Sequence, residues 1–412
     1  MRKRSTLPAL AALSLASGVT VVAPATAQAS PPPAHLTVDS TADGVDVDPS
    51  DGRCRTAAGT CTLRAAVMTA NAVPGSTIEL PAGRYRLTIP PNPDLLNGRT
   101  ADPTTGDLNI LGPTTVQGAG ARGTVIDAGG IDRVFRMGAD TRLSDLTVTG
   151  GDAKQREVPF TDPGGGGIAN GKNLTLRRVT VTGNSAGYGG GIFNIPDSHL
   201  TLIDSTVSRN TAGEAGGIRF DDTGTVVNST IADNRVTDDW ERPGSLAGYG
   251  GGIDIRGTGL VEIRNSTITG NSATDGGGGI NIAPAYLDSL PRPVTDIINL
   301  PLGRLTLQNT IIAGNIIGTT TSDCKNVFAT IDSLGNNLDS GNSCHLTAEG
   351  DLPRRSPGLA PLGDHGGPTD TAALLPGSPA IDAAHGCPAA DQRGIARPQG
   401  PACDMGAFEF AP

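Results

Sequence analysis

A nine-residue frame recurs six times in this chain and strongly limits what the chain can fold into. One copy is Ile263–Asn271, with the sequence IRNSTITGN. Each copy begins with an aliphatic residue, has a polar or charged residue at its third position and an aliphatic residue at its sixth. The other copies are Leu143–Gly151, Leu176–Asn184, Leu202–Asn210, Val226–Asn234 and Leu307–Asn315. Such repetition predicts stacked supersecondary units, because one unit cannot bury its own apolar face.

The residue types within the frame indicate which kind of stack this is. β-Branched residues alternate with polar ones at period two, and no apolar stripe of helical spacing occurs. A glycine-rich block that ends in isoleucine follows most frames and is interpreted as the second strand of the same unit. These isoleucines are Ile168, Ile192, Ile218, Ile253 and Ile280. With 58 glycines and only 3% aromatic residues, the chain is predicted to be all-β, a parallel β-helix with a narrow aliphatic core.

Two columns of the repeat are predicted to be structural. The asparagines that close the frames, among them Asn184, Asn210, Asn234 and Asn271, can adopt left-handed backbone and stack their amides from rung to rung. The threonine column at the fifth position is interpreted in the same way, as part of the turn and packing pattern. Function is therefore expected where the repeat is interrupted.

The first 29 residues are predicted to be a secretory signal peptide. Arg2, Lys3 and Arg4 precede an apolar run, and Ala27-Gln28-Ala29 resembles a cleavage site. Residues 30–35 are proline-rich and are expected to be disordered. The formal charge of −10 becomes −13 without the three basic leader residues, which excludes nucleic acid as an expected partner. The chain is expected to be secreted or associated with the cell surface, to lack a transmembrane anchor and to be a monomer.

Six cysteines in an exported chain favour disulfide bonds. Fifteen pairings of six cysteines are possible. The spacing favours three local ones, which are Cys54 with Cys61, Cys324 with Cys344, and Cys387 with Cys403.

Residues 36–90 precede the repeats and are predicted to cap the open end of the stack. A short helix is expected after Cys61, with Thr62 at its start and Leu63, Ala66, Val67 and Ala70 on one face. Two strands are expected around Pro81-Ala82-Gly83. Covering the terminal strands in this way prevents them from pairing with other chains.

Three stretches resemble known families. CTLRAAV at Cys61–Val67, with the ANAVPGSTIELPAGRYRL stretch after it, resembles the N-terminal CSLREA domain of secreted bacterial β-helix proteins, although Thr62 and Ala65 depart from that pattern. The frames of residues 91–345 resemble right-handed parallel β-helix repeats, including those of polymorphic outer-membrane proteins. Residues 346–412 contain GGPTDTAALLPGSPAIDAA and are similar to the choice-of-anchor Q module. The resemblance implies an exported right-handed β-helix and implies no particular reaction.

Candidate site residues follow from the strand alternation. If the isoleucines point inward, the residues after them face outward in one column of Ala169, Phe193, Arg219, Asp254 and Asn281. Tyr188, Glu214 and Tyr249 precede the glycines in successive rungs, and Asp221, Asp222 and Arg256 lie just beyond the column. Trp240 lies in an inserted loop that is expected to overhang the same face.

These side chains point to saccharide chemistry, because aromatic rings stack on sugars and charged groups bind hydroxyls or uronates. The favoured function is binding of polysaccharide or cell-envelope glycan. One alternative is a polysaccharide lyase, with Arg219 as base or carboxylate clamp and Asp221, Asp222 or Asp254 as calcium ligands. Another is a glycoside hydrolase that uses Glu214 and Asp254. Two structural hypotheses remain, an exposed ion pair of Arg219 with Asp254 and a spacer without any site.

Two further clusters of charged residues occur outside the repeats. Asp46, Asp48 and Asp51 precede Gly52 and could wrap a calcium ion, or form a solvated acidic turn. In the C-terminal module, a buried network of ion pairs is predicted to fix a terminal cap, with a basic anion site as the alternative. That network comprises Asp391, Arg393, Arg397, Asp404 and Glu409.

Overall fold

The computed structural model describes residues 32–92, 101–153, 164–237, 248–283, 303–326 and 329–411. Within these residues the chain winds through successive rungs, and neighbouring rungs pair almost entirely in parallel. One complete rung consists of His199–Ile203, Thr206–Ser208, Thr211–Glu214 and Ile218–Phe220. The predicted parallel β-helix is confirmed. The sequence predicts two strands per unit, and the structure shows four. The frame covers a turn with a strand on each side, and so does the glycine-rich block, so each contributes two strands.

Four sheets therefore run along the stack, numbered here in the order in which a complete rung passes through them. The first sheet contains His35–Thr37, Ser76–Leu80, Thr114–Gly118, Thr141–Ser144, Asn173–Arg177, His199–Ile203, Thr223–Val227, Leu260–Arg264, Arg304–Gln308 and Thr330–Ser333. The second contains Gly83–Arg86, Thr124–Asp127, Thr147–Thr149, Thr180–Thr182, Thr206–Ser208, Thr230–Ala232, Thr267–Thr269, Ile311–Ala313, Leu338–Asp339 and Leu352–Pro353.

The third and fourth sheets are formed by the glycine-rich blocks. The third contains Ser185–Tyr188, Thr211–Glu214, Arg235–Val236, Ser272–Ala273, Ile316–Ile317 and the antiparallel strand Thr320–Thr321. The fourth contains Leu108–Ile110, Phe135–Met137, Ile168–Asn170, Ile192–Asn194, Ile218–Phe220, Ile253–Arg256, Ile280–Ala283 and Cys324–Asn326. The predicted inward isoleucines of the fourth sheet are all fully buried.

The third position of each frame is a turn with left-handed backbone. Its φ angles lie between 46° and 57° at Asp145, Arg178, Asp204, Asn228, Asn265 and Asn309. Asn and Asp tolerate this conformation better than other non-glycine residues, which explains why they dominate the column. The polar character of the third position therefore reflects the backbone of the turn between the first and second sheets.

The closing asparagines form the predicted ladder of stacked amides. Asn184 Nδ2 donates to Asn210 Oδ1 at 2.9 Å, and the same bond links Asn210 to Asn234 at 3.0 Å. The ladder continues through Asn271 and Asn315 and ends on the carboxylate of Asp323, all of them buried. Each amide thereby satisfies polar groups that lie inside the stack, where water cannot reach them.

A helix at Leu63–Ala72 closes the first end of the stack, as predicted, with the Thr62 hydroxyl accepting a hydrogen bond from the Ala65 amide. All four predicted face residues are buried, and so is Arg64. The Arg64 guanidinium lies 2.7 Å from Asp43, and both side chains are at most 1% exposed. The strands of this segment pair in parallel with later rungs and so belong to the same sheets. The structure describes no helix long and apolar enough to cross a membrane.

The C-terminal module packs along the side of the stack, which corrects the prediction of a terminal cap. It covers the threonine column of the second sheet. Gln392 Nε2 donates to the Thr206 hydroxyl at 2.9 Å, and the Thr230 hydroxyl donates to Gln392 Oε1 at 2.7 Å. One rung after Thr230, the Ala407 amide donates to Thr267 Oγ1 at 3.1 Å. The threonine column is thus the surface to which the module is bound.

The predicted ion-pair network inside the module is confirmed. Arg393 pairs with Asp391 at 2.7 Å, and Arg397 lies 3.5 Å from Glu409. Asp404 accepts hydrogen bonds from the backbone amides of Asp382 and Phe410. Arg397 donates to the carbonyls of Asp404 and Gly406, which ties the chain into a closed turn. All three predicted disulfide bonds are also present, with Cα–Cα distances of 5.1, 4.8 and 6.5 Å.

A buried carboxyl pair lies beside the Cys324–Cys344 disulfide. Asp323 and Asp339 are both fully buried, and Asp339 Oδ2 accepts a hydrogen bond from the Cys344 amide at 2.7 Å. Burial and the neighbouring Asp323 raise the pKa of Asp339 to about 6 from an ordinary value of 3.8. The folded protein therefore keeps a proton on this pair that the unfolded chain releases at a lower pH.

We expect the stability contributed by Asp339 to decrease as the pH rises from about 4 to about 6. Between these values the folded state binds more protons than the unfolded state, so each increase in pH favours unfolding, by up to about 3 kcal/mol in total. Urea denaturation of the parent protein and of Asp339→Asn at several pH values measures the effect. The difference between the two unfolding free energies should change between about pH 4 and about pH 6. If the two plots of unfolding free energy against pH were parallel, the prediction would be contradicted.

Candidate functional site

The predicted outward column is a true cross-strand row of the fourth sheet. Ala169, Phe193, Arg219, Asp254 and Asn281 are direct partners in neighbouring strands. The row is nevertheless covered: Ala169 and Phe193 are buried, Asp254 and Asn281 are 0% exposed, and the Arg219 side chain is 14% exposed. Tyr188 and Glu214 of the third sheet contact Arg219 and help to cover the row.

Arg219 is held on several sides. Its guanidinium lies 2.8 Å from Glu214 and 2.7 Å from Asp221. It also stacks over the ring of Tyr188, at 4.9 Å from the ring centroid, and near Phe193 at 5.4 Å. Two carboxylates and two rings therefore fix one cation at the centre of the face.

Arg256 forms a second, parallel arrangement one rung further. It pairs with Asp254 at 2.6 Å and lies 3.8 Å from Glu214, so Glu214 contacts both arginines. Asn281 Nδ2 donates to Asp254 Oδ1 at 2.7 Å. The hypothesis of an exposed Arg219–Asp254 pair is therefore corrected. The two residues are neighbours in register, but each has other ion-pair partners and Asp254 is fully buried.

The electrostatics of the two arginines bear on the lyase hypothesis. Burial alone would lower the pKa of Arg219, but the charges of Asp221 and Glu214 outweigh burial and raise it above its ordinary value. The pKa of Arg256 is raised in the same way, against burial, chiefly by Asp254. Both guanidinium groups are thus held protonated, which favours a positioning or clamping role over that of a base.

Tyr249 and Lys325 extend the site toward the C-terminal end of the stack. Arg256 lies 5.3 Å from the Tyr249 ring centroid, and the Lys325 ammonium lies 5.7 Å from it. Lys325 also pairs with Asp275 at 3.1 Å. Lys325 is the cross-strand partner of Asn281, but its rung lacks the glycine-isoleucine signature, so the sequence pattern did not reveal it.

We name the outer part of this site the tyrosine surface. It is made of the partly exposed Tyr188, Arg219, Tyr249 and Lys325, together with the buried Phe193 that lies against Tyr188 and Arg219. Two inserted segments, residues 154–163 and 238–247, join the described chain beside it. Gly164 pairs with Tyr188, and the amide of Gly248 donates to the Gly213 carbonyl in the neighbouring rung. Trp240, predicted to overhang this face, lies outside the described residues.

The structure does not bring all predicted site residues together. Asp222 accepts a hydrogen bond from the Asp197 amide at 2.7 Å and so stabilises a turn of the adjacent rung. The acidic loop lies in the N-terminal cap, and its carboxylates bind groups of their own loop and, for Asp46, of the adjacent helix. Asp46 accepts from Asp48 and Thr69, Asp48 from Ser50, and Asp51 from Arg53. Among the described residues no three potential ligating side chains form a metal cluster.

The match to a family model agrees with the fold. Residues 147–285 match the family model of a right handed beta helix region. No curated protein sequence matches the chain. Among solved structures, the chain is similar to the crystal structure of pectate lyase Pel9A, with a TM-score of 0.40 and 17% identity over 92% of this chain and 97% of that one. Sheet topology and family match together define a right-handed parallel β-helix.

Proposed function

We propose that this protein is exported and binds polysaccharide or other cell-envelope glycan through the tyrosine surface. The observation that carries the proposal is the alignment of rings and cations over a span of five successive rungs. Tyr188 and Tyr249 are partly exposed, and Arg219 and Lys325 lie against their faces. A shallow polar surface with fixed aromatic rings suits a ligand whose rings carry apolar C–H faces and polar edges.

The buried charges support binding through pre-organisation. Because Glu214 contacts both Arg219 and Arg256, the exposed groups above them are held in place before any ligand arrives. A side chain that is already fixed loses little conformational entropy when a ligand binds. The three disulfide bonds support export, since such bonds persist in oxidising compartments.

A lyase or hydrolase remains the alternative, but the ion pairs favour binding. Glycoside hydrolysis needs one carboxylic acid to donate a proton and a second carboxylate to act as base or nucleophile. Glu214 and Asp254 are 2% and 0% exposed and are each paired with an arginine, so neither faces a substrate as an available carboxyl group. A spacer without a site does not require the stacked rings and cations of the tyrosine surface.

Replacing Tyr249 by alanine should weaken polysaccharide binding about tenfold, because a lost stacking contact corresponds to about 1.4 kcal/mol. Affinity electrophoresis against acidic and neutral polysaccharides measures the effect, and Tyr188→Ala should behave in the same way. Arg142→Ala is the control, because Arg142 is an exposed residue of the first sheet.

The same preparations distinguish binding from catalysis. Absorbance of unsaturated uronate ends, followed with and without a chelator, should show no turnover. Turnover that is lost in Arg219→Ala would establish the lyase instead. If Tyr249→Ala bound every polysaccharide with the affinity of the parent protein, binding at the tyrosine surface would be refuted.

A further inference from the structure

A second cleft lies at the seam between the C-terminal module and the stack, away from the tyrosine surface. Its volume is about 380 Å³. One wall is formed by the turn between the first and second sheets, with Arg177, Asp204 and Asn228. The other wall is the module loop that contains Pro388 and Arg393. This volume falls within the range of pockets that hold small organic ligands.

The carboxylate of Asp204 is poorly satisfied for a partly buried group. Its side chain is 18% exposed, and among the described residues its oxygens make two long contacts. Asn228 Nδ2 lies 3.4 Å from Oδ1, and Arg177 Nε lies 3.8 Å from Oδ2. Burial raises the pKa of Asp204 above its ordinary value, in keeping with this shortage of donors. The Arg177 side chain is 59% exposed and has N–H groups to spare.

The other charges around the cleft are already neutralised. Arg178 makes two hydrogen bonds to Asp145, at 2.6 and 2.7 Å, and Arg393 pairs with Asp391. Three arginines are therefore balanced by three carboxylates, which disfavours a phosphate or another strongly charged ligand. A carboxylate oxygen of Asp204 and the N–H groups of the Arg177 guanidinium therefore lie side by side and are available to a ligand.

We propose that the seam cleft is a second carbohydrate site, which takes one neutral sugar residue. Two adjacent hydroxyl groups of a sugar complement this pair, since one can donate to Asp204 while the other accepts from Arg177. Ile203, Val227 and Pro388 supply the apolar wall for the C–H face of the ring. A sugar bound here contacts both walls and so strengthens the attachment of the module to the stack.

Titration of the full chain with the methyl glycosides of glucose, galactose and mannose tests this site, followed by saturation-transfer NMR and calorimetry. At least one glycoside should bind, and Asp204→Asn and Arg177→Ala should each weaken it at least tenfold. Asn suits the left-handed backbone of Asp204, with φ of 50°, so this variant should fold. Arg304→Ala is the matched control. Arg304 lies in the first sheet four rungs after Arg177, and it is likewise an exposed arginine that pairs with an aspartate, Asp332.

Each other outcome overturns the proposal. The proposal is wrong if no glycoside binds. It is also wrong if the two seam variants, Asp204→Asn and Arg177→Ala, bind the glycoside as the parent protein does. Loss of binding in Tyr249→Ala with the seam variants unaffected would assign the sugar to the tyrosine surface. Because the two sites share no residue, failure of one leaves the other open to its own test.

Discussion

Replacing Asn234 by alanine is expected to lower the free energy of unfolding by about 3–5 kcal/mol. Asn234 Oδ1 accepts hydrogen bonds from the amide and the side chain of Asn210, at 3.1 and 3.0 Å. Its Nδ2 donates to the Val207 carbonyl and to Asn271 Oδ1. Alanine removes these four bonds inside the stack. Asn210 Nδ2 keeps only the Val181 carbonyl, and Asn271 Oδ1 keeps only the backbone amide of residue 234 among the bonds described here. Each buried polar group that is left unsatisfied costs about 1–3 kcal/mol. Guanidinium denaturation followed by circular dichroism measures the change.

Asn173→Ala is the control for the ladder, because Asn173 is exposed and bonds to Asp140 at the surface. It should change the unfolding free energy by less than about 0.5 kcal/mol. Equal stability of Asn234→Ala and Asn173→Ala would show that the ladder contributes nothing to folding. A Gln substitution at residue 234 should also destabilise, since the longer side chain cannot keep the spacing of the amides.

Replacing Arg64 by methionine is expected to destabilise the protein by about 3–5 kcal/mol. The substitution keeps most of the side-chain volume but leaves Asp43 as a buried carboxylate. Within the described part of the chain, its remaining donors are the amides of Thr88 and Ile89. It also removes the donors to the carbonyls of Pro103 and Gly106. Arg64 belongs to the helix that covers the first rungs. If the helix detaches, the strands at this end of the stack should become exposed. Thermal denaturation and limited proteolysis should both report the change.

Arg84→Met is the matched control for this pair. Arg84 pairs with Asp127 at 2.8 Å but is 63% exposed, so its loss should cost less than about 1 kcal/mol. The double variant Asp43→Ala/Arg64→Met should regain part of the lost stability, because no uncompensated charge remains. If Arg64→Met were as stable as Arg84→Met, the buried pair would have no role in attaching the helix.

The fold could be predicted because the same backbone constraint recurs in every rung. Aliphatic residues at fixed positions point into one core, and the turn after the first strand requires left-handed backbone, which selects Asn or Asp. The position of the C-terminal module could not be predicted in this way. It depends on single contacts such as that between Gln392 and Thr206, 186 residues apart, which leave no periodic pattern. The threonine column looked structural within the repeat, and its contacts with another part of the chain were missed.

The candidate site was predicted in part. Strand alternation correctly placed Phe193, Arg219 and Asp254 in one row, because register follows from period two. It could not show that Asp254 pairs with Arg256 or that Arg219 pairs with Glu214, since those contacts depend on the reach of side chains across a turn. Lys325 was missed because its rung breaks the repeat. The assignment of Trp240 to the same face stays a prediction.

The lateral position of the module has a consequence for how the stack responds to force or heat. A solenoid in which each rung contacts only its neighbours can lose rungs one at a time from an end. Here a single module is bonded to four successive rungs, at Thr206, Thr230, Thr267 and Asn309. One of these rungs cannot separate from the next without breaking contacts to a segment that bridges both. The middle of the molecule should therefore unfold as one cooperative block, and a pulling experiment should record one large step there.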